Sequence, residues 1–277
     1  MNGLINKVST ALVLTGALLA PLASQAGEVL DKIMRDGKLT MATDSALPPI
    51  SFLNQDNVMD GFDVEVGKEV ARRMGVELKI VTPEWAVITA GNWNGRWDIS
   101  VGSMTPTEAR AKKLDFPAVY YYTPAAFFVH EDSEIQSKEE LNGKMIGVPT
   151  ATSYESYMRG DLVLDAGGVP DFTYEVQAGK IKTMSLSTAL MDDLRLGAGV
   201  RLDGMLYAMP GIMDAINSGY PFRVVGDPVF YEPLAIATEK GDAELNAKIV
   251  EIIESMRADG TLTSLSNKWF GVDYTSF

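Results

Sequence analysis

The chain has 277 residues, 46% of them hydrophobic and 22% charged, enough to build sizeable cores in one or two domains. Its formal net charge is −13 with no run of Lys or Arg, so a nucleic-acid footprint is excluded and no nucleic-acid partner is expected. It contains no cysteine, which excludes disulfides, thiol nucleophiles and thiolate metal sites together.

The first segment reads as an export signal. Lys7 is the only charge before Glu28, a run of apolar and small residues spans Val8 to Ala20, and Ser24-Gln25-Ala26 forms a small-x-small cleavage site. The run is short for a transmembrane anchor, and Pro21 follows it at once. Removal of residues 1–26 and a periplasmic mature protein are therefore expected, with no cysteine to carry a lipid.

Helix-period and strand-period segments then alternate. "KLTMAT" (38–43) predicts a strand, and "GFDVEVGKEVARRMG" (61–75) a helix with Phe62, Val66, Val70 and Met74 on one stripe and Gly75 as its stop. Strands follow at 76–82, 97–104, 125–130 and 144–149, and a capped helix at 152–168. "FTYEV" (172–176), "STALMDDLRLG" (187–197) and "LDGMLYA" (202–208) repeat strand, helix, strand, and "FRVVGD" (222–227) adds another strand. The tail at 242–260 predicts an amphipathic helix with Leu245, Ile249, Ile252, Ile253 and Met256 on one face.

Such alternation predicts an α/β fold of mainly parallel sheets covered by helices. Two extended apolar stretches, about 121–127 and 229–236, carry Pro124 and Pro233 and are candidate crossings between two lobes. The expected division is 27–123 with 232–277 as one discontinuous lobe and 124–231 as an inserted second lobe. Ligands of such sheets sit beyond the C-terminal ends of the strands, here between the lobes.

Catalytic and cofactor motifs are missing. The single histidine, His130, ends an apolar strand and reads as a surface or hinge residue. No phosphate-binding glycine loop appears, and neither a cofactor nor a metal is expected. The acidic pairs Glu139-Glu140 and Asp192-Asp193 read as solvated helix faces or caps.

Arg110 stands apart. In "SMTPTEAR" (103–110), Thr105 is expected to cap a helix, with Pro106 at the first position and Glu108 reaching back. An arginine one turn into a helix is at the unfavourable end of the dipole, unless an anion is expected there. Gly102, Ser103 and Thr105 lie just upstream at a strand end, where small and hydroxyl residues leave backbone N–H groups open. A guanidinium fork beside such donors suits a free carboxylate.

Several runs carry a resemblance across the whole mature chain: "MATDSALPPISF" (41–52), "GFDVEVGKEVARRMG" (61–75), "WDISVGSMTPTEARAKKLDF" (97–116), "LNGKMIGVPTATSYESYM" (141–158), "RLDGMLYA" (201–208) and "MRADGTLTSLSNKWFG" (256–271). They resemble the periplasmic solute-binding proteins of polar-amino-acid ABC importers, which have the bilobal type II fold. The resemblance implies a monomeric, non-enzymatic receptor that closes around a carboxylate-bearing solute and delivers it to an inner-membrane permease. It implies Arg110 for the ligand α-carboxylate, and Ser103 and Thr105 for the carboxylate or amino group. Trp85 would be an aromatic wall, Asp44 the partner of a cationic side chain, and Thr152 and Ser153 donors from the second lobe.

The family pattern is broken in two places. Ala208, after Tyr207, occupies the usual position of the acid that pairs with the ligand ammonium, and Leu47 replaces a second aromatic wall. Either another acid serves, or the ligand is a quaternary or cyclic amine held over Trp85 with help from Tyr154 or Tyr207. The alternatives are an exported enzyme similar to cyclohexadienyl dehydratases, against which Ala208 argues, and a ligand-sensing subunit of a membrane signalling protein.

Overall fold

The computed structural model describes residues 27–276, so the expected signal segment lies outside the described residues. The chain begins with α1 (Glu28–Asp36), β1 (Lys38–Ala42) and a small antiparallel sheet of β2 (Ala46–Leu47), β3 (Ser51–Leu53) and β4 (Met59–Asp60). Then come α2 (Phe62–Met74), β5 (Glu77–Val81), α3 (Trp85–Thr89), β6 (Ile99–Met104) and the single turn α4 (Glu108–Ala111). The long β7 (Leu114–His130) leads to β8 (Met145–Pro149), α5 (Ser153–Arg159), β9 (Lys180–Met184), α6 (Ser187–Leu194), β10 (Gly204–Ala208) and α7 (Met209–Asn217). The equally long β11 (Phe222–Glu239) returns to α8 (Ala243–Ala258) and α9 (Thr261–Phe270).

The fold is α/β with two lobes. Hydrogen bonding runs through one curled sheet in the order β5-β1-β6-β11-β7-β10-β8-β9. At each end three strands are parallel, β5-β1-β6 and β10-β8-β9. In the middle β7 and β11 pair antiparallel, from Glu239 opposite Leu114 to Phe222 opposite His130. The predicted strands at 125–130 and 222–227 are the far ends of these two ribbons, and the predicted crossings are their middles, where Pro124 pairs with Tyr231. Register shifts between Val225 and Phe230 and between Leu234 and Ala235 interrupt the ladder beside those prolines, which lack an N–H to donate.

Hydrophobic burial divides along the same ribbon. One core joins Leu39, Phe62, Val66, Val70 and Met74 to Ile249, Ile252 and Ile253, so the stripes of α2 and α8 meet over the first sheet. A second core gathers residues between Ala125 and Phe230, including Phe127, Ile146, Leu190, Leu206 and Ile212. Gly75 closes α2 with φ of 73°, and its N–H caps the Ala71 and Arg72 carbonyls. Among the described residues no helix is long and apolar enough to cross a membrane.

Four sequence expectations need correction. The predicted helix 152–168 stops at Arg159, where Gly160 takes a left-handed C-cap. The predicted strand 172–176 does not form. Two of its backbone groups bond to one side chain instead: the Tyr157 hydroxyl donates to Thr173 O (3.0 Å) and accepts from Glu175 N (2.9 Å), while Phe172 and Tyr174 pack on its ring. The edge strand is instead Lys180–Met184, paired with β8. His130 is neither exposed nor at the crossing; it is buried at the far end of β7, its Nδ1 accepting from Asp132 N. Asp193 is no solvated helix face, since it is buried and paired with Lys182 (2.6 Å) and Arg201 (2.7 Å).

Candidate functional site

A cleft of about 690 Å³, counting its mouth, lies between the two cores beside the β7–β11 ribbon. All eight residues singled out from the sequence line it: Asp44, Trp85, Gly102, Ser103, Thr105, Arg110, Thr152 and Ser153. They arrive from the C-terminal ends of parallel strands and the loops beyond, as the topology dictates. Asp44 follows β1, Gly102 and Ser103 end β6, and Thr152 and Ser153 open α5 after β8. Apolar walls come from Leu47, Ile50, Leu186 and Leu234.

Arg110 reaches this cleft by a route other than the expected one. The helix cap is Thr107, whose Oγ1 accepts from Arg110 N (3.3 Å), so neither Thr105 nor Glu108 serves in a capping box. The helix is one turn long, and the dipole argument therefore carries no weight. Thr105 is freed for a different role. Its carbonyl accepts from Arg110 Nη1 (2.8 Å), and Ala151 O, in the second lobe, accepts from Nη2 (2.8 Å). Ala151 sits at φ of 61°, a left-handed conformation that few non-glycine residues adopt. Arg110 is 9% exposed, and its guanidinium joins both lobes while its other N–H groups make no hydrogen bond among the described residues. Burial pulls its pKa down to about 10, opposed by the negative charge on Glu232, so it is a cation at neutral pH.

One face of the Trp85 indole meets that cation, with Arg110 Cζ 5.7 Å from the ring centroid. One cation over Trp85 is thus the protein's own arginine, on a ring that the sequence reading offered, as one of two alternatives, to a quaternary or cyclic amine. Gly102 lets the indole pack on the strand end: a Cβ there would lie 3.2 Å from Trp85 Cζ3.

Glu232 is the residue that sequence reasoning missed. It lies on β11 opposite Thr123, is 1% exposed, and lines the cleft. Thr105 Oγ1 donates to its Oε1 (2.7 Å), Ser153 Oγ donates to the same oxygen, and the Tyr154 hydroxyl donates to Oε2. Burial raises its pKa, while the three hydroxyls and the Arg110 charge hold it down. The signal that could have found it is a lone acid in an otherwise apolar stretch, "VFYEPLAIA" (229–237), since a charge buried in such a strand needs partners.

Ser103 is less available than expected. Its Oγ donates to Asp63 Oδ2 (2.8 Å) and is bonded to the Tyr121 hydroxyl, and its N–H donates to Tyr120 OH (3.0 Å). Thr152 caps α5, accepting from Glu155 N (3.3 Å). Asp44 Oδ1 accepts from Ala46 N (2.7 Å), a turn bond, and burial raises its pKa, with Glu84 adding to the effect. Tyr207 packs on Tyr154, ring centroids 5.4 Å apart, next to Ala208 in the same wall. The charged side chains that line the cleft are therefore one guanidinium and two carboxylates.

Comparison with known proteins agrees with this architecture. The chain is 29% identical over 250 residues to the L-cystine-binding protein TcyJ of Escherichia coli (strain K12), covering 89% of this chain and 88% of the relative. It is 30% identical to the L-arginine-binding protein of Pseudomonas aeruginosa over 95% of this chain and 97% of that one. Among solved structures, the ancestral amino acid-binding protein AncCDT-1, described as a precursor of cyclohexadienyl dehydratase, superposes with a TM-score of 0.75 at 28% identity, over 87% of this chain and 99% of its own. An ancestral arginine-binding protein bound to arginine gives 0.73 at 27% identity, over 85% and 99%. Residues 39–272 match the profile of one family, so the chain belongs to the bacterial extracellular solute-binding proteins, family 3.

Proposed function

We propose that this protein is a periplasmic receptor for an α-amino acid, which it binds between its lobes and delivers to an ABC permease. One observation carries the reading: a single buried guanidinium, fixed by carbonyls of both lobes, faces a cleft that brings side chains of both lobes together. Arg110 offers a carboxylate its remaining N–H groups in a dry site, where a charge-assisted pair is strong. Thr152 and Ser153 line the cleft from the second lobe, and lobe closure brings that wall to the same ligand. The lobes divide at 123/124 and 231/232, inside the β7–β11 ribbon, so the hinge is the part of the sheet that both lobes share.

The charge inventory narrows the ligand. One cation and two anions line the cleft, which disfavours an acidic side chain and suits a neutral or cationic one. Asp44 is the acid for a cationic side chain. The relatives named for arginine and cystine are consistent with both options.

The protein is read as a non-enzyme. The rival, a dehydratase on the same fold, draws its support from Glu232, a buried acid with a raised pKa next to a cation. Prephenate and arogenate are expected to survive incubation with the protein; turnover of either would make Glu232 a general acid and replace the receptor reading. The direct test is calorimetric titration with the twenty standard L-amino acids and L-cystine. Binding of at least one at micromolar affinity or better is expected, and silence across the panel contradicts the reading.

A further inference from the structure

We propose that Glu232 is the specificity-determining anion of the cleft, binding the ligand's α-ammonium next to the carboxylate held by Arg110. The proposal rests on the amino-acid reading above and assigns the half of the zwitterion that Arg110 leaves unbound.

Three observations carry it. Position is the first. Glu232 projects from the ribbon shared by both lobes, paired with Thr123 on β7, so its carboxylate is held where the lobes meet. Its hydrogen-bond partners are the second. Thr105 comes from the first lobe, and Ser153 and Tyr154 from the second, all as hydroxyl donors. A hydroxyl that donates to a carboxylate keeps its own lone pairs. Glu232, Thr105 Oγ1 and Ser153 Oγ therefore form a cluster of acceptors matched to the three N–H donors of an ammonium. The third is the absence of a competitor in that cluster. Asp44, the other acid lining the cleft, is tied into its own turn by Ala46 and feels Glu84, and Ala208 offers only a methyl group.

The arrangement also accounts for how a buried carboxylate and a buried guanidinium coexist without a direct ion pair. Arg110 spends two N–H groups on the Thr105 and Ala151 carbonyls, and Glu232 takes hydroxyls. Each charge is held by neutral groups and keeps capacity for an opposite charge on a ligand, which a closed Arg–Glu fork would consume.

The rival role for Glu232 is a latch that ties Thr105 to Ser153 and Tyr154 whatever the ligand. The two roles differ in what the ligand's amine contributes. The experiment is calorimetric titration of wild type and Glu232→Gln with the tightest-binding amino acid of the panel and with its α-deamino carboxylic acid. Wild type is expected to prefer the amino acid by about 100-fold, and Glu232→Gln to lose about 100-fold for the amino acid but less than about threefold for the deamino acid. Equal losses for both ligands, or no loss for the amino acid, overturn the proposal and leave the receptor reading standing. A wild type that holds the deamino acid as tightly as the amino acid overturns it without any variant. A wild type that binds no amino acid removes the receptor reading and this proposal together. Should Glu232→Gln fail to fold, Ser153→Ala carries the test. It removes one acceptor, and the preference for the amino acid should narrow by about tenfold; an unchanged preference contradicts the assignment.

Discussion

Two carboxylates of this molecule are buried among hydroxyls, and they differ in what lies beyond the hydroxyls. Asp63 is fully buried on the first turn of α2 and accepts from Tyr120 OH (2.6 Å) and Ser103 Oγ (2.8 Å). Each of these donors belongs to the first-lobe side of the chain, and no cation is among the influences on Asp63. Glu232 accepts from hydroxyls of both lobes, lines the cleft, and feels Arg110. A sealed set of donors around one acid makes a brace; the same donors opening on a cleft beside a cation leave the acid facing space that a ligand can enter. Asp63 braces Ser103, which stands at φ of 53° where the strand end turns into the cleft. Glu232 faces the space that strand end helps to shape.

The comparison can be broken first by pH. Burial pushes the Asp63 pKa up to about 7 from 3.8, against the pull of its two hydroxyl donors. An acid whose folded pKa is raised takes up a proton on folding, so its contribution to stability is fully present below about pH 4 and is lost as pH rises through about 7. The difference is on the order of 4 kcal/mol across that window. Asp63→Asn is expected to flatten the stability curve between pH 4 and 7 in urea melts; a curve parallel to wild type would show that Asp63 is ionised throughout.

The next prediction sets the two acids against each other. Asp63→Ala leaves Tyr120 and Ser103 without their buried acceptor and is expected to cost about 3 kcal/mol. Glu232→Gln keeps an acceptor for its hydroxyls and should lower the melting temperature by less than Asp63→Ala does. If Glu232→Gln melts at the lower temperature of the two, the distinction between brace and binding group fails. A smaller effect sharpens the local account of Arg110. Thr107→Ala removes the cap of α4 and is expected to cost about 1 kcal/mol, seen as a small drop in melting temperature, whereas Thr105→Val should leave that helix intact.

Legibility in the sequence follows the length scale of the cause. The stripe Phe62, Val66, Val70 and Met74 was readable because helix period and Gly75 both act within a few residues, and all four side chains are buried. The place of Arg110 at the cleft was readable from its hydroxyl-rich surroundings, although the cap assigned to Thr105 belongs to Thr107, two positions on. The segment 172–176 misled because alternation resembles a strand, while a tertiary partner, the Tyr157 hydroxyl, took two of its backbone groups. Glu232 was hidden for the same reason. Its partners Thr105, Ser153 and Tyr154 are distant in the chain, and only the folded ribbon brings them together.

The claim on which the account rests is that Arg110 grips the ligand's carboxylate. The most direct measurement is calorimetric titration of Arg110→Ala with the tightest-binding L-amino acid of the panel and with that amino acid's carboxamide, alongside circular dichroism. The account predicts a folded variant with at least about a 100-fold loss for the amino acid and no remaining preference for it over the carboxamide. A folded Arg110→Ala that binds the amino acid as wild type does, or that still prefers the carboxylate by the wild-type factor, would contradict it.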